Sequence, residues 1–256
     1  MTKITNPPKP RHFFPLIGVG ISVLKLLVMK PVSLHQSLKP AQSASRQTGL
    51  ILCGVFSSVL YLLMNVWCAA VYPGYDWQSQ TVSELSAIDA PTRPLWVSLA
   101  IIFSMLNIAF AWGVWLMGTG NKWLRFTAWL LFLNAFIGLF WPPMHQRSVI
   151  AAGGGTLTDT LHLVFAGVAV ALMTAIIVMG AAAIKGGFRV YSAVTLFVLI
   201  FFGILTGIDS PGIEAGSPTP HIGIWERINI AAYMVWVAVF SLFLLKGQAK
   251  ATVRRT

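Results

Sequence analysis

Six long apolar segments constrain this chain more than any other feature of its sequence. They cover residues 49–71, 95–117, 124–141, 161–184, 191–208 and 228–245. A helix needs about 20 mostly apolar residues to cross a bilayer, and backbone in hydrocarbon must satisfy its own hydrogen bonds, which leaves helices and closed barrels. Barrel strands alternate over about 10 residues. These long, uniform segments therefore predict an all-α bundle of six transmembrane helices.

The composition excludes a soluble globular domain. Hydrophobic residues make up 56% of the chain and charged residues 10%, whereas a soluble domain is about 45–50% apolar and about 25% charged. Disorder is excluded as well, because disordered chains have low hydrophobicity. We therefore expect a multi-pass protein of the cell (inner) membrane, with the lipid bilayer as its main surroundings.

The basic residues predict the orientation of the bundle. In the six-helix topology, 15 of the 18 Lys and Arg residues lie on the side that holds both termini. Since cytoplasmic loops of membrane proteins are enriched in Lys and Arg, both termini are predicted to be cytoplasmic. The formal net charge of +11 is then a topology signal, and no nucleic-acid partner is expected.

The acidic residues lie on the opposite side. All seven fall in, or within one turn of, a connection that this topology places outside, and three histidines fall there too. These residues are Asp76, Glu84, Asp89, Asp159, Asp209, Glu214 and Glu226, with His145, His162 and His221. Any chemistry is therefore expected on the outer face, although acidic residues are also simply tolerated there.

The chain divides into three predicted parts. Residues 1–48 form a basic cytoplasmic extension, residues 49–246 the membrane domain and residues 247–256 a basic cytoplasmic tail. Residues 13–29 are apolar, but the segment is short and carries Lys25. A seventh span there would violate the charge rule, so we predict a partly disordered tail or a basic helix on the inner leaflet. Its lysines would bind anionic headgroups.

The first outer loop contains the most structured pattern among the connections. Thr81-Val-Ser-Glu84 has the form of a capping box that opens a short helix. Two interpretations stay open for this segment. It is a helical lid over the bundle, or Ser83 and Glu84 present a hydroxyl and a carboxylate to a pocket and take part in catalysis.

Asp159 and His162 are three residues apart at the start of the fourth segment, so they share one helical face. Either Thr158 or Asp159 is predicted to cap this helix. An ionisable side chain within a membrane helix is a functional candidate, and the alternative is a histidine that only packs. Asp159, His162 and His221 also have the ligand chemistry of zinc, but no HExxH, HxxxH or CxxC motif supports a metal and no cofactor is established.

The start of the sixth segment carries Glu226 and Arg227. Glu226 is a further catalytic candidate, and Arg227 is expected to form an ion pair with Asp159 or Glu84, because pairing lowers the cost of burying a charge. Within the second and third segments, Asn107 and Asn134 are expected to form amide hydrogen bonds between helices.

These loop motifs resemble the DUF998 family, bacterial and archaeal six-helix membrane proteins of unknown function. The resemblance covers about residues 49–245 and implies the same topology, but no reaction. In that family an acidic residue often follows the proline after the third span, whereas here Pro143 precedes Met144 and His145. The matching motifs are Pro73-Gly74-Tyr75, Thr81-Val-Ser-Glu-Leu85, Thr158 with His162, and Gly223-Ile-Trp-Glu-Arg-Ile228 with Trp236.

Three functions stay open, and whether the chain is an enzyme is undecided by the sequence. The first is a non-catalytic membrane subunit or assembly factor whose outer loops bind a protein partner. The second is a membrane-embedded hydrolase or transferase, with or without a metal, that acts on lipid at the outer leaflet. The third is a small-molecule or ion transporter, which the sequence disfavours because it shows no inverted repeat.

Overall fold

The protein is all helical in its computed structural model, which describes residues 34–253, with side chains from residue 45 to residue 249. Six helices of at least 17 residues follow one another in these residues. They are α1 (Leu34–Val71), α2 (Arg93–Met117), α3 (Lys122–Gly138), α4 (Leu157–Ala183), α5 (Gly187–Glu214) and α6 (Ile222–Val253). The predicted interfacial segment at residues 13–29 lies outside the described residues.

Five of the described helices are long and apolar enough to cross a membrane. The remaining one, α3, has 17 residues and a length of about 25 Å at about 1.5 Å per residue. A hydrocarbon core is about 30 Å thick, so α3 alone is short for a full crossing. The predicted all-α class and the membrane environment are therefore confirmed with five membrane-capable helices.

Small residues bring the helices together. The backbone of α1 at Gly54 lies so close to the Phe110 ring that a Cβ atom would be 2.8 Å from it. In α4, a Cβ on Gly180 would lie 2.6 Å from the indole of Trp236 in α6. Glycine permits such close approach between membrane helices. The rings of Trp236 and Phe240 stack 4.9 Å apart in the buried centre of the bundle.

Three connections meet at one end of the bundle and form what we call the polar cap. The polar cap comprises residues 72–92, 139–156 and 215–221, with the first two turns of α4 and α6. Its connections are bound to one another: the amide of Gly223 donates to the carbonyl of Gln78, and Arg147 contacts both Glu84 and Thr219. The carboxylates of the chain lie in this cap or in the last two turns of α5.

Two helix ends differ from their predictions. Helix α5 continues through Pro211 to Glu214 instead of ending at residue 208, because a proline in the last turns removes few of the helix's hydrogen bonds. Helix α4 begins at Leu157 with Thr156 as its N-cap, where Thr158 or Asp159 was predicted. Asp159 instead occupies the third helical position and completes a capping box with Thr156.

Candidate functional site

A short 3₁₀ turn, Val82–Ser86, forms the centre of the polar cap. The predicted capping box is confirmed: the amide of Thr81 donates to Glu84 Oε2 at 2.7 Å, and the Thr81 hydroxyl is 3.1 Å from the same oxygen. The phenol of Tyr75 donates to the carbonyl of Thr81 at 2.6 Å. These bonds fix the turn, so that Ser83 and Glu84 contact different parts of the cap.

The buried Glu84 forms an ion pair with the half-buried Arg147. Arg147 Nε is 2.6 Å from Glu84 Oε1, and its Nη2 is 2.8 Å from Oε2, a two-pronged geometry that strengthens charge-assisted hydrogen bonds. The Glu84 side chain is only 3% exposed. Hydrogen bonding to Glu84 is the main reason that the pKa of Arg147 is raised above its usual value.

The same guanidinium ties the three connections of the cap together. Arg147 Nη2 also donates to the carbonyl of Ser79 at 2.7 Å, and Nη1 donates to the hydroxyl of Thr219 at 3.2 Å. Beside this ion pair lies a cavity of about 160 Å³. Its lining consists of Tyr72, Gln80, Glu84, Gln146, Arg147 and Ser148.

Arg227 has different partners from the predicted Asp159 or Glu84. Its guanidinium donates to the carbonyls of Trp77 and Gln80 at 2.8 and 3.0 Å and to the hydroxyl of Tyr75. The expected ion pair is wrong because Arg147 already saturates Glu84. Arg227 instead holds the first loop on α6 through backbone carbonyls.

Asp159 binds His145 through both of its carboxylate oxygens. The amide of His145 donates to Asp159 Oδ1 at 2.7 Å, and His145 Nδ1 lies 2.9 Å from Oδ2. The amide of Thr156 donates to Oδ2 at 2.8 Å. The predicted common face of Asp159 and His162 does not lead to a hydrogen bond between them, since the carboxylate binds residues 145 and 156 instead.

His162 is buried, with 4% of its surface exposed, and contacts Ser83. Its Nε2 lies 3.0 Å from Ser83 Oγ, and its Nδ1 lies 2.7 Å from the carbonyl oxygen of Pro142. The indole of Trp141 packs edge-on against the imidazole, with Trp141 Nε1 at 3.1 Å from Nδ1. The sequence predicts Ser83 and His162 as separate functional candidates. In the fold their side chains lie within hydrogen-bond distance of each other.

Glu226 binds the 3₁₀ turn from the side of α6. Its carboxylate accepts the amide hydrogen of Val82, and Ser83 Oγ lies 3.4 Å from its Oε1. Glu226 thus fixes the backbone one residue before Ser83. Among the sequence candidates, Ser83, His162 and Glu226 form one cluster, and Glu84 lies beside it in the pair with Arg147.

The predicted zinc ligands do not meet in the described part of the chain. Residues 45–249 contain no group of three or more His, Cys, Asp or Glu side chains that could hold a metal ion. His221 is exposed and packs against Trp225, while Asp159 and His162 have the partners given above. Zinc stays a prediction from residue types, without a ligand set.

The two bundle asparagines do not bind each other. Asn107 donates to the carbonyl of Phe103 at 2.8 Å, and its amide oxygen accepts from the Ser57 hydroxyl of α1 at 3.5 Å. Asn134 is half-buried on α3. The predicted amide hydrogen bond between helices is present at Asn107, where it joins α1 to α2 through Ser57.

Two functional groups of the cap were missed from the sequence. Arg147 belongs to no motif that the sequence analysis recognises, although it is the partner of Glu84. The carbonyl of Pro142, which binds His162, is a backbone group, so no residue type in the sequence indicates its role. Only the position of Arg147, in a connection otherwise rich in small and apolar residues, could have suggested a buried partner.

The fold and the cap define a helical, multi-pass membrane protein with a hydrogen-bonded polar cap at one end. The model of the DUF998 family, described as a protein of unknown function, matches residues 49–242. The chain therefore belongs to the DUF998 family, as the loop motifs predicted. No curated protein and no solved structure matches the chain.

Proposed function

We propose that this protein is a membrane-embedded hydrolase or acyltransferase that uses Ser83 as its nucleophile and His162 as its general base. The single observation that supports the proposal is the contact of 3.0 Å between Ser83 Oγ and His162 Nε2. A weak nucleophile needs an adjacent base within about 2.6–3.2 Å, and the base needs a third group that orients it. The carbonyl of Pro142 supplies that third group.

Two groups with opposite requirements contact Nδ1 of His162. The Pro142 carbonyl oxygen, at 2.7 Å, only accepts hydrogen bonds, whereas the Trp141 indole N–H, at 3.1 Å, only donates. We propose the tautomer with the proton on Nδ1, because the contact with Pro142 is the shorter of the two. In the neutral ring the other nitrogen is then an acceptor. His162 Nε2 therefore presents its lone pair to Ser83 Oγ, which is the arrangement that general-base catalysis requires.

The proposed reaction is acyl transfer from an ester. Ser83 Oγ forms a bond to the ester carbonyl carbon while its proton moves to His162 Nε2. Collapse of the tetrahedral intermediate breaks the bond to the leaving alcohol, which takes the proton from Nε2. Water, or an acceptor alcohol, then attacks the acyl-serine with the help of the same base, and Ser83 is restored.

The proposed position of this chemistry is the outer leaflet. In the proposed topology all six helices cross the membrane, α3 together with the apolar residues 139–141 that follow it, and both termini are cytoplasmic, as the distribution of Lys and Arg predicts. His162 lies in the second turn of α4, a membrane-capable helix. Leu161 and Leu163, its neighbours in the chain, are exposed. This part of α4 thus presents apolar side chains to its surroundings, which supports a lipid ester as the proposed substrate class.

The test is ester hydrolysis by the purified chain in lipid nanodiscs. We expect Ser83→Ala and His162→Ala to abolish turnover of p-nitrophenyl acyl esters. Ser86→Ala is the matched control, because Ser86 lies in the same 3₁₀ turn and its hydroxyl only donates to the carbonyl of Ser83. Hydrolysis that survives Ser83→Ala, or a wild type without activity on esters of any chain length, would refute the proposal.

A second candidate is a non-catalytic membrane subunit. It is favoured by the internal bonding of the cap, since each buried side-chain nitrogen or oxygen among the described residues has a hydrogen-bond partner. In this role Arg147 and Arg227 only shape a surface for a protein partner. Gentle extraction followed by native mass spectrometry distinguishes the two roles: this candidate requires a stoichiometric protein partner, whereas the hydrolase requires none.

A further inference from the structure

The cavity beside the 3₁₀ turn is lined almost entirely by hydrogen-bonding side chains. Its volume is about 160 Å³, similar to that of a protein cavity of about 150 Å³ that holds a benzene ring. A compact polar group of three to six carbons fits a space of about that size. Its lining residues come from the first loop (Tyr72, Gln80, Glu84) and from the third connection (Gln146, Arg147, Ser148).

The two charges in the lining are already neutralised by each other. Glu84 accepts five hydrogen bonds, from the Arg147, Thr81 and Gln80 groups around it. Arg147 uses four of its five N–H groups, two of them on Glu84. A charged ligand would find no free counter-charge here, and the desolvation of its charge would not be compensated.

The remaining lining groups suit hydroxyls. Gln146 carries an amide whose bond to the carbonyl of Ile88 is long, at 3.5 Å, and the lining residues Ser148 and Tyr72 carry hydroxyl groups. Amides and hydroxyls both donate and accept hydrogen bonds. A molecule with several neutral hydroxyl groups has the same dual character, whereas a carboxylate or a phosphate only accepts.

We propose that this cavity binds an uncharged polyol, as free molecule or as the headgroup of a lipid. The headgroup assignment rests on the proposed hydrolase function. Glu84 lines the cavity and is the next residue after Ser83, so their Cα atoms are about 3.8 Å apart. A polyol in the cavity would therefore lie beside the turn that carries the nucleophile, which makes an ester with a neutral polyol headgroup the substrate class.

The test is equilibrium dialysis of the full chain with radiolabelled glycerol and, separately, myo-inositol. The protein is held in a zwitterionic detergent, since maltoside headgroups would compete for the cavity. We expect saturable binding of at least one polyol at one site per chain. Glycerol 3-phosphate is expected to bind at least about tenfold more weakly than the neutral polyol, a difference of about 1.4 kcal/mol.

Ser148→Phe is designed to fill the cavity. Ser148 is exposed at the cavity's edge, so a bulky ring is accommodated without disturbing Glu84 and Arg147. Ser217→Phe is the matched control, because Ser217 is equally exposed in the connection before α6 and is not part of the lining. Binding should be lost in Ser148→Phe and unchanged in Ser217→Phe.

Three results would overturn the inference: no saturable binding of either polyol, binding that survives Ser148→Phe, or tighter binding of the phosphate ester. Ser83→Ala separates this inference from the hydrolase proposal, because it removes the nucleophile and leaves the cavity lining intact. If the wild type binds polyol but does not hydrolyse esters, the hydrolase proposal is refuted and the polyol-binding cavity is not. If it hydrolyses esters but binds no polyol, the polyol-binding cavity is refuted and the hydrolase proposal is not.

Discussion

At the residue scale, the ion pair of Glu84 and Arg147 is the main bond between the connections of the cap. Removing one partner of a buried pair leaves an uncompensated charge and costs about 3–5 kcal/mol. Glu84 is the more buried partner, with its side chain 3% exposed against 29% for Arg147. The loss of folding free energy should therefore be larger when Arg147 is removed than when Glu84 is replaced by a neutral side chain.

We expect Arg147→Ala to lower the thermal unfolding midpoint in nanodiscs more than Glu84→Gln does. The double variant Glu84→Gln with Arg147→Ala should recover part of the loss, because it leaves no buried charge without a partner. Arg189→Ala, which removes a guanidinium bound to carbonyls near the α4–α5 connection, serves as the control. A double variant less stable than Arg147→Ala alone would contradict this account.

The residue scale also shows what the sequence could and could not predict. The capping box of Thr81 and Glu84 was predictable because it depends on a local spacing of three residues. The partner of Glu84 was not, since Arg147 is 63 positions away and Arg227 is an equally basic alternative. The orientation of Asp159 was missed for a related reason: its local role in capping α4 prevailed over its helical face.

At the scale of elements, close helix packing depends on a few glycines. A Cβ on Gly54 or Gly180 would lie 2.6 to 2.8 Å from an aromatic ring of the neighbouring helix. At Gly167, in the same helix as Gly180, no atom lies within 4 Å of such a Cβ. Substitution by alanine should therefore lower the stability of the bundle at Gly54 and Gly180 but not at Gly167.

Gly54→Ala and Gly180→Ala should each destabilise the bundle by about 1–3 kcal/mol, the typical cost of overpacking a core. Gly167→Ala should leave stability unchanged or raise it by up to about 1 kcal/mol, because alanine favours the helix and meets no neighbour. Thermal unfolding of the three variants in one lipid composition measures this. A Gly167→Ala protein as unstable as Gly180→Ala would contradict the packing described here.

At the scale of the whole molecule, the sequence predicted the helical class and the family because both depend on long, repeated features. An apolar run of about 20 residues is recognisable whatever its neighbours are. The length of α3 was less predictable: the apolar pattern continues to Trp141, but the helix ends at Gly138 and the chain turns towards Pro142. Pro142 and Pro143 disfavour helical backbone in the residues before them, and the resulting turn places the Pro142 carbonyl against His162.

The predicted orientation can be tested with single cysteines. After replacement of Cys53 and Cys68 by alanine, Ser217→Cys lies in the polar cap and Thr119→Cys in the connection between α2 and α3. A membrane-impermeant maleimide added to intact cells should label Ser217→Cys, while Thr119→Cys should react only after the membrane is opened. The reverse pattern would place the cap in the cytoplasm and would contradict the positive-inside assignment.

The central claim, that His162 activates Ser83, is tested most directly by covalent labelling with a fluorophosphonate. This electrophile reacts with a serine hydroxyl that a neighbouring base activates. We predict that mass spectrometry will locate one adduct on Ser83 of the wild type and of Ser86→Ala, and that His162→Ala will lose it while remaining folded. A wild type that stays unmodified, or an adduct that persists in folded His162→Ala, would contradict the account.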